Sequence, residues 1–231
     1  MILYKSNAAA AQADVPVVRT DYSPNAVTRY IEESTRKVGK NDIEIDASML
    51  QQRIFPTPHR TIFISHLSAY RQTALDIKEA IEFWCPGYTC FIDSEVWGNM
   101  YTILRKLQNK YALLPNGHYR HEMVNNICQH LSLILSMALT KAIKDSPYFL
   151  FVPGGDDEML NGDSISTTSP WVCHELLTAS LLPERGIQKE AAVQFAAEPQ
   201  MNLTFRYSAD ALHLHRTSLE EFIAMLRQPR R

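Results

Sequence analysis

Thr61-Ile62-Phe63-Ile64-Ser65-His66 is a run of β-branched and aromatic residues that turns polar at its end. That composition and length read as a short strand buried on both faces. Beyond it, Ala74, Ile77, Ile81 and Trp84 recur at helical spacing, Gly87 breaks the chain, and Tyr88-Thr89-Cys90-Phe91-Ile92-Asp93 forms a second strand pattern. Strand, helix and strand joined by short connections make a βαβ unit, whose crossover sets the strands parallel. A helix over 128–144 leads into a third buried strand, Ser146-Pro147-Tyr148-Phe149-Leu150-Phe151-Val152. The expected fold is therefore α/β, a three-layer, flavodoxin-like parallel sheet with helices on both faces. In such sheets ligands bind outside the carboxyl ends of the strands. Ser65-His66, Asp93-Ser94 and the loop after Val152 occupy those ends.

The loop from Pro153 to Thr168, rich in Gly, Asp and Ser, delivers the chain to Ser169-Pro170-Trp171-Val172-Cys173-His174-Glu175-Leu176-Leu177. This reads as a helix start, because Pro in the first turn forfeits an N–H that has no intrahelical partner. Trp171 and Glu175, four residues apart, fall on one helix face about one turn apart. A carboxylate beside a large apolar ring suits acid, base or ion-stabilising work; the plainer alternative is a Glu pointing to solvent.

Residues 1–59 read as an N-terminal extension, with a small-residue tract at Ala8 to Ala11, a helix over Asn25 to Lys37, and a turn at Gly39 to Asp42. Pro56-Thr57-Pro58 is a stiff linker before the domain at 60–231. A helix lies between Gly98 and Lys110, and a stretch around 111–130 reads as an insertion. Ala191 to Phe195 and Asn202 to Tyr207 are weaker strand patterns. Thr217-Ser218-Leu219-Glu220 marks a closing amphipathic helix.

Composition narrows the partners. A formal net charge of -2 gives no general attraction to nucleic acid or an anionic membrane. The most apolar stretch, Leu131 to Ile143, is interrupted by polar residues and falls short of the ~20 needed to span a bilayer. Cys85, Cys90, Cys128 and Cys173 form no CxxC pair and fit a reducing cytoplasm. Neither His118, His121 and His130 nor the alternating His213 and His215 carry zinc-ligand spacing, so no metal is expected.

Four segments in order resemble the Toll/interleukin-1 receptor (TIR) domain family. They are Ile62-Phe63-Ile64-Ser65-His66, Phe91-Ile92-Asp93-Ser94-Glu95-Val96-Trp97, Ile143-Lys144-Asp145-Ser146 with the next strand, and Ser169-Pro170-Trp171-Val172-Cys173-His174-Glu175-Leu176. The last resembles the Ser-x-Trp-x-x-x-Glu-Leu helix that carries the catalytic glutamate of TIR enzymes. The likeness covers about 60–228 and is nearest to stand-alone prokaryotic members of the anti-phage Thoeris type. The long 111–130 and 154–168 stretches depart from the minimal domain.

The resemblance implies an enzyme that cleaves the nicotinamide–ribose bond of NAD, by hydrolysis or by cyclising ADP-ribose into a signal for an effector. NAD is then the substrate and no cofactor is required. It casts Glu175 as catalytic, with Phe63, Ser65, His66, Asp93, Ser94, Trp97 and Trp171 contacting substrate. For His66 a strand-fixing role, for Asp93 and Ser94 a turn-capping role, and for Trp97 plain packing or self-association stand beside that. Assembly into dimers or larger oligomers is implied too. Two alternatives remain: a non-catalytic TIR scaffold, and an enzyme similar to nucleoside 2-deoxyribosyltransferases.

Overall fold

A computed structural model describes residues 2–5, 21–40, 42–57, 60–97, 100–154, 158–160, 164–182, 206–210 and 214–228. The chain runs β1 (Ile2–Lys5), α1 (Pro24–Glu33), β2 (Thr35–Lys37), β3 (Ile43–Ile45), α2 (Ala47–Ile54), β4 (Ile62–His66), α3 (Arg71–Trp84) and β5 (Cys90–Phe91). It continues through α4 (Asp93–Val96), α5 (Met100–Tyr111), α6 (His121–Asp145), β6 (Tyr148–Val152), β7 (Glu158–Leu160) and β8 (Ser164–Thr167). α7 (Pro170–Leu181), β9 (Tyr207–Asp210), β10 (His215–Arg216) and α8 (Leu219–Leu226) follow. Contacts divide these into two compact units. One takes Met1–Val15, His59–Ile92 and Ala142–Arg231; the other takes Pro16–Pro58 and Asp93–Lys141. Residues read as a single N-terminal extension thus supply a strand to the first unit and two helices and a hairpin to the second.

The first unit is built on a five-stranded sheet, order β10-β1-β6-β4-β5. β4 pairs in parallel with β5 on one side and β6 on the other, as the βαβ pattern requires. The remainder of the sheet corrects the all-parallel expectation. β1 lies antiparallel between β6 and β10, with Ile2 opposite both Phe151 and Arg216. Four residues with no local signal were not legible as a strand; a partner nearly 150 residues away supplies the pairing.

Strand alternation divides the side chains of this sheet between two faces. Ile62 and Ile64 of β4, with Cys90, Ile92, Tyr148, Leu150 and Val152, join Ala74 and Ile81 of α3 and Phe222 and Leu226 of α8 in one buried cluster. Phe63, Phe91 and Phe149 turn the other way. Phe63 is stacked between its neighbours at ring separations of 5.3 and 5.7 Å. α7 packs against β4 on this second face, so helices flank the sheet on both sides.

The stretch from Pro153 to Thr168, expected as loop, contains two strands. β7, β8 and β9 form a separate antiparallel sheet in which Ile165 faces Ala209 and Thr167 faces Tyr207. α7 packs on β8 and β9 as well as on β4. A helix covered on two sides has apolar residues around most of its circumference, which explains Val172, Cys173, Leu176 and Ala179 all being buried.

In the second unit α1 and α2 begin with side-chain caps, Ser23 accepting from the Ala26 N–H and Asp46 from the Met49 N–H. α1 ends at Glu33, short of the expected Lys37, and the chain turns into the β2–β3 hairpin. α6 begins at His121, seven residues before the expected start, because His121, Glu122, Asn125 and Asn126 sit on its exposed side and blur the apolar period. The segment before it is a tight turn. Leu113 bridges Tyr119, the Leu114 N–H donates to the His118 carbonyl at 2.8 Å, and Gly117 takes φ +82°, a conformation suited to glycine. Ala8 to Ala11 and Ala191 to Phe195 lie outside the described residues. Of the strand pattern expected over Asn202 to Tyr207, residues 202–205 lie outside the described residues, and β9 begins only at Tyr207.

Candidate functional site

Strand order β5-β4-β6 places the chain's reversal at β4: the connection from β4 goes to one neighbour, and the other neighbour comes later. The carboxyl ends of β4 and β6 are therefore the topological switch point, where open α/β sheets bind ligands. Ser65, next to last in β4, is 1 % exposed and lies opposite Phe151 in the register.

α7 brings Glu175 to that position. Ser169 caps its first turn by accepting from the Val172 N–H at 3.2 Å, and Pro170 occupies the first turn. This fixes where the second turn projects its side chains. Glu175 is 3 % exposed, and its Oε2 accepts a hydrogen bond of 2.5 Å from the Ser65 hydroxyl. Taking a carboxylate out of water is costly unless hydrogen bonds replace hydration, so the pair is a deliberate local arrangement. The solvent-facing alternative for Glu175 is overturned by its burial. Trp171, one turn earlier, is half-buried. In the same helix, burial pushes the Cys173 thiol above its ordinary pKa and keeps it protonated.

The other expected site residues separate. Phe63 shares Ser65's face of β4 but is fully buried between Phe91 and Phe149, so it forms the floor under the site rather than a ligand contact. His66 is corrected more strongly. Alternation turns it to the Ile62 and Ile64 face, opposite Val152, so Ser65 and His66 do not line one pocket. Asp93, Ser94 and Trp97 belong to the second unit. Asp93 and Ser94 open the short α4, and the Asp93 carbonyl accepts from the Trp97 N–H at 2.7 Å. The Trp97 ring is 1 % exposed, meets Phe55 edge-on at 5.5 Å, and donates its indole N–H to the Pro56 carbonyl at 2.7 Å. With its one donor used and its surface covered, this indole is a packing residue, neither lid nor self-association contact.

Gly154-Gly155 lacks the context of a phosphate cradle and reads from sequence as a flexible loop, and Tyr70 carries no sequence signal of its own. A Cβ placed on Gly154 would fall 2.5 Å from Cε2 of Tyr70 and 2.7 Å from Cδ1 of Leu67. The segments leaving β4 and β6 therefore approach so closely that any side chain at this position would have to push the Tyr70 ring and Leu67 aside. The signal was present as Gly154-Gly155 directly after a buried strand, where a backbone commonly approaches a neighbour.

Among the described residues no cluster of three or more His, Cys, Asp or Glu side chains is placed to hold a metal ion. None of their helices is long and apolar enough to cross a membrane. His213 lies outside the described residues. No protein-family model, curated protein or solved structure matches this chain.

Proposed function

We propose that this chain cleaves the N-glycosidic bond between nicotinamide and ribose in NAD, with Glu175 as the catalytic carboxylate. The observation that carries the reading is the Ser65–Glu175 hydrogen bond at the switch point of the sheet. It joins the two sequence segments on which the TIR likeness chiefly rests, 110 positions apart in the chain.

The chemistry needs little more than one fixed negative charge. As the C1′–N bond breaks, its electron pair leaves with the nicotinamide, whose ring starts cationic and departs neutral. Positive charge builds on ribose C1′ and O4′. A carboxylate held beside that carbon stabilises it more in the transition state than in the ground state. Water then adds to C1′ and loses a proton, giving ADP-ribose; attack by an atom of the same nucleotide gives a cyclic product instead. Ser65 acts as a positioning residue, holding the Glu175 carboxylate in one orientation. Trp171 walls the entrance on the same helix face.

In this reading the enzyme works in the cytoplasm, self-associates, and releases an ADP-ribose-derived messenger to an effector in anti-phage immunity. The test is chromatography of products formed from NAD by the purified chain and by Glu175→Gln, each at low and high protein concentration. ADP-ribose or a cyclic isomer from the parent alone supports the proposal. Equal turnover by both proteins, or none by the parent at any concentration while it oligomerises, replaces it with the scaffold reading.

A further inference from the structure

A second concavity lies wholly within the other unit. It has a volume of about 570 Å³, inside the range of small-molecule sites. Its walls are the β2–β3 hairpin, the start of α2, the end of α5 and one face of α6. Leu50, Leu107 and Leu131 are buried at its floor, and Ile127 and Ile134 continue the apolar surface along α6. At 1.5 Å per residue, the stretch from Arg120 to Ile134 makes a channel about 20 Å long.

The polar groups of this groove are unevenly distributed. Among the described residues, the side chains of Arg120, Asn126 and His130 make no hydrogen bond or ion pair. Arg120 stands just before the first residue of α6, where the unbonded N–H groups of a helix add positive potential. On the facing wall Glu44 is paired with Arg36, while the Asp42 carboxylate turns toward Gly39, its Oδ2 2.7 Å from where a Gly39 Cβ would sit. The Arg120 end of the groove thus offers a cation with no ion-pair partner among the described residues, beside an elongated, mainly apolar floor.

We infer that this groove binds a single-chain amphiphile with an anionic head, a carboxylate or phosphate monoester. The head sits against Arg120, and the chain lies along Ile127, Leu131 and Ile134. A guanidinium bonds either head in the same planar, two-donor fashion. The inference is independent of the Ser65–Glu175 chemistry.

Isothermal titration of the full chain with dodecanoate and dodecyl phosphate tests it, against dodecyltrimethylammonium, dodecanol, acetate and inorganic phosphate. Saturable one-to-one binding of the two anionic amphiphiles is expected, at least tenfold tighter than that of the cationic or neutral chain, with acetate and phosphate silent. Arg120→Ala weakens binding about tenfold and Arg120→Lys recovers part of it. Ile43→Glu, at a half-exposed hairpin position that leaves the core intact, weakens it further by setting a negative charge on the wall. Thermal melts matching the parent establish that the variants are folded. Equal affinity for the cationic amphiphile, binding unchanged in Arg120→Ala, binding of phosphate alone, or no saturable binding would each overturn the inference.

Discussion

The Ser65 hydroxyl and the Glu175 carboxylate meet in the interior of the first unit, each almost wholly withdrawn from solvent. A hydrogen bond to a buried carboxylate fixes one rotamer of the acid, and its loss leaves the acceptor short of a partner. Ser65→Ala should therefore lower stability by about 1–3 kcal/mol. Under the proposed NAD-cleaving reading it should also reduce kcat more than it changes KM, because the acid wanders while the substrate still binds. Glu175→Gln should cost at least about a hundredfold in kcat. Steady-state kinetics beside thermal melts check both; an Ser65→Ala enzyme with native kcat would deny Ser65 its positioning role.

Gly154 and Tyr70 give a second test. In Gly154→Ala the new methyl group must displace an aromatic ring, which costs about 1–3 kcal/mol by analogy with overpacked cores. In a Tyr70→Ala background the same substitution should cost less, with only the Leu67 methyl at 2.7 Å left to be moved. A double-mutant cycle read by urea denaturation measures the coupling, and additive effects would contradict the close approach.

Trp97→Phe removes the indole donor to Pro56 while keeping most of the ring volume. A loss of about 1–2 kcal/mol is expected from the unpaired carbonyl and the smaller ring. NAD turnover per folded molecule should not change. A selective rise in KM would restore the substrate-contact role that the burial of this ring argues against.

Thiol chemistry should follow burial. Desolvation raises the pKa of Cys173 and of Cys85, so both stay protonated near neutral pH and label slowly with iodoacetamide. Cys128, half-buried, should label first. The sign for stability follows. The folded state holds these protons above pH 9.0, where an unfolded thiol releases them, so the two thiols favour folding below that pH and lose the contribution as pH rises through their folded values. Denaturation midpoints measured from pH 8 to 10.5 should fall, and should fall less in Cys173→Ala.

The sequence carried the parallel core of the sheet because Ile62 to His66 and Tyr148 to Val152 are buried on both faces and need no distant information to be recognised. It also carried Ser65, at the polar end of a buried strand, and Glu175, one turn after Trp171 in an apolar helix. His66 was misplaced because adjacency along a strand means opposition across the sheet. β7 and β8 were missed because Ser164-Ile165-Ser166-Thr167 becomes a strand through pairing with β9, some forty residues on. Nothing within α7 announces the second small sheet that covers its far side. The groove beside α6 had no sequence signature, since its walls come from four separate segments.

The antiparallel seat of β1 bears on how the molecule is made. Ile2–Lys5 leaves the ribosome long before Phe151 and Arg216, the residues it must lie between. Such far-separated pairings raise contact order, and folding rates fall as contact order rises. The sheet stays open at that seam until β10 is synthesised, and a nascent chain stalled before His215 would present the edge of β6 or β1 to any other strand in reach.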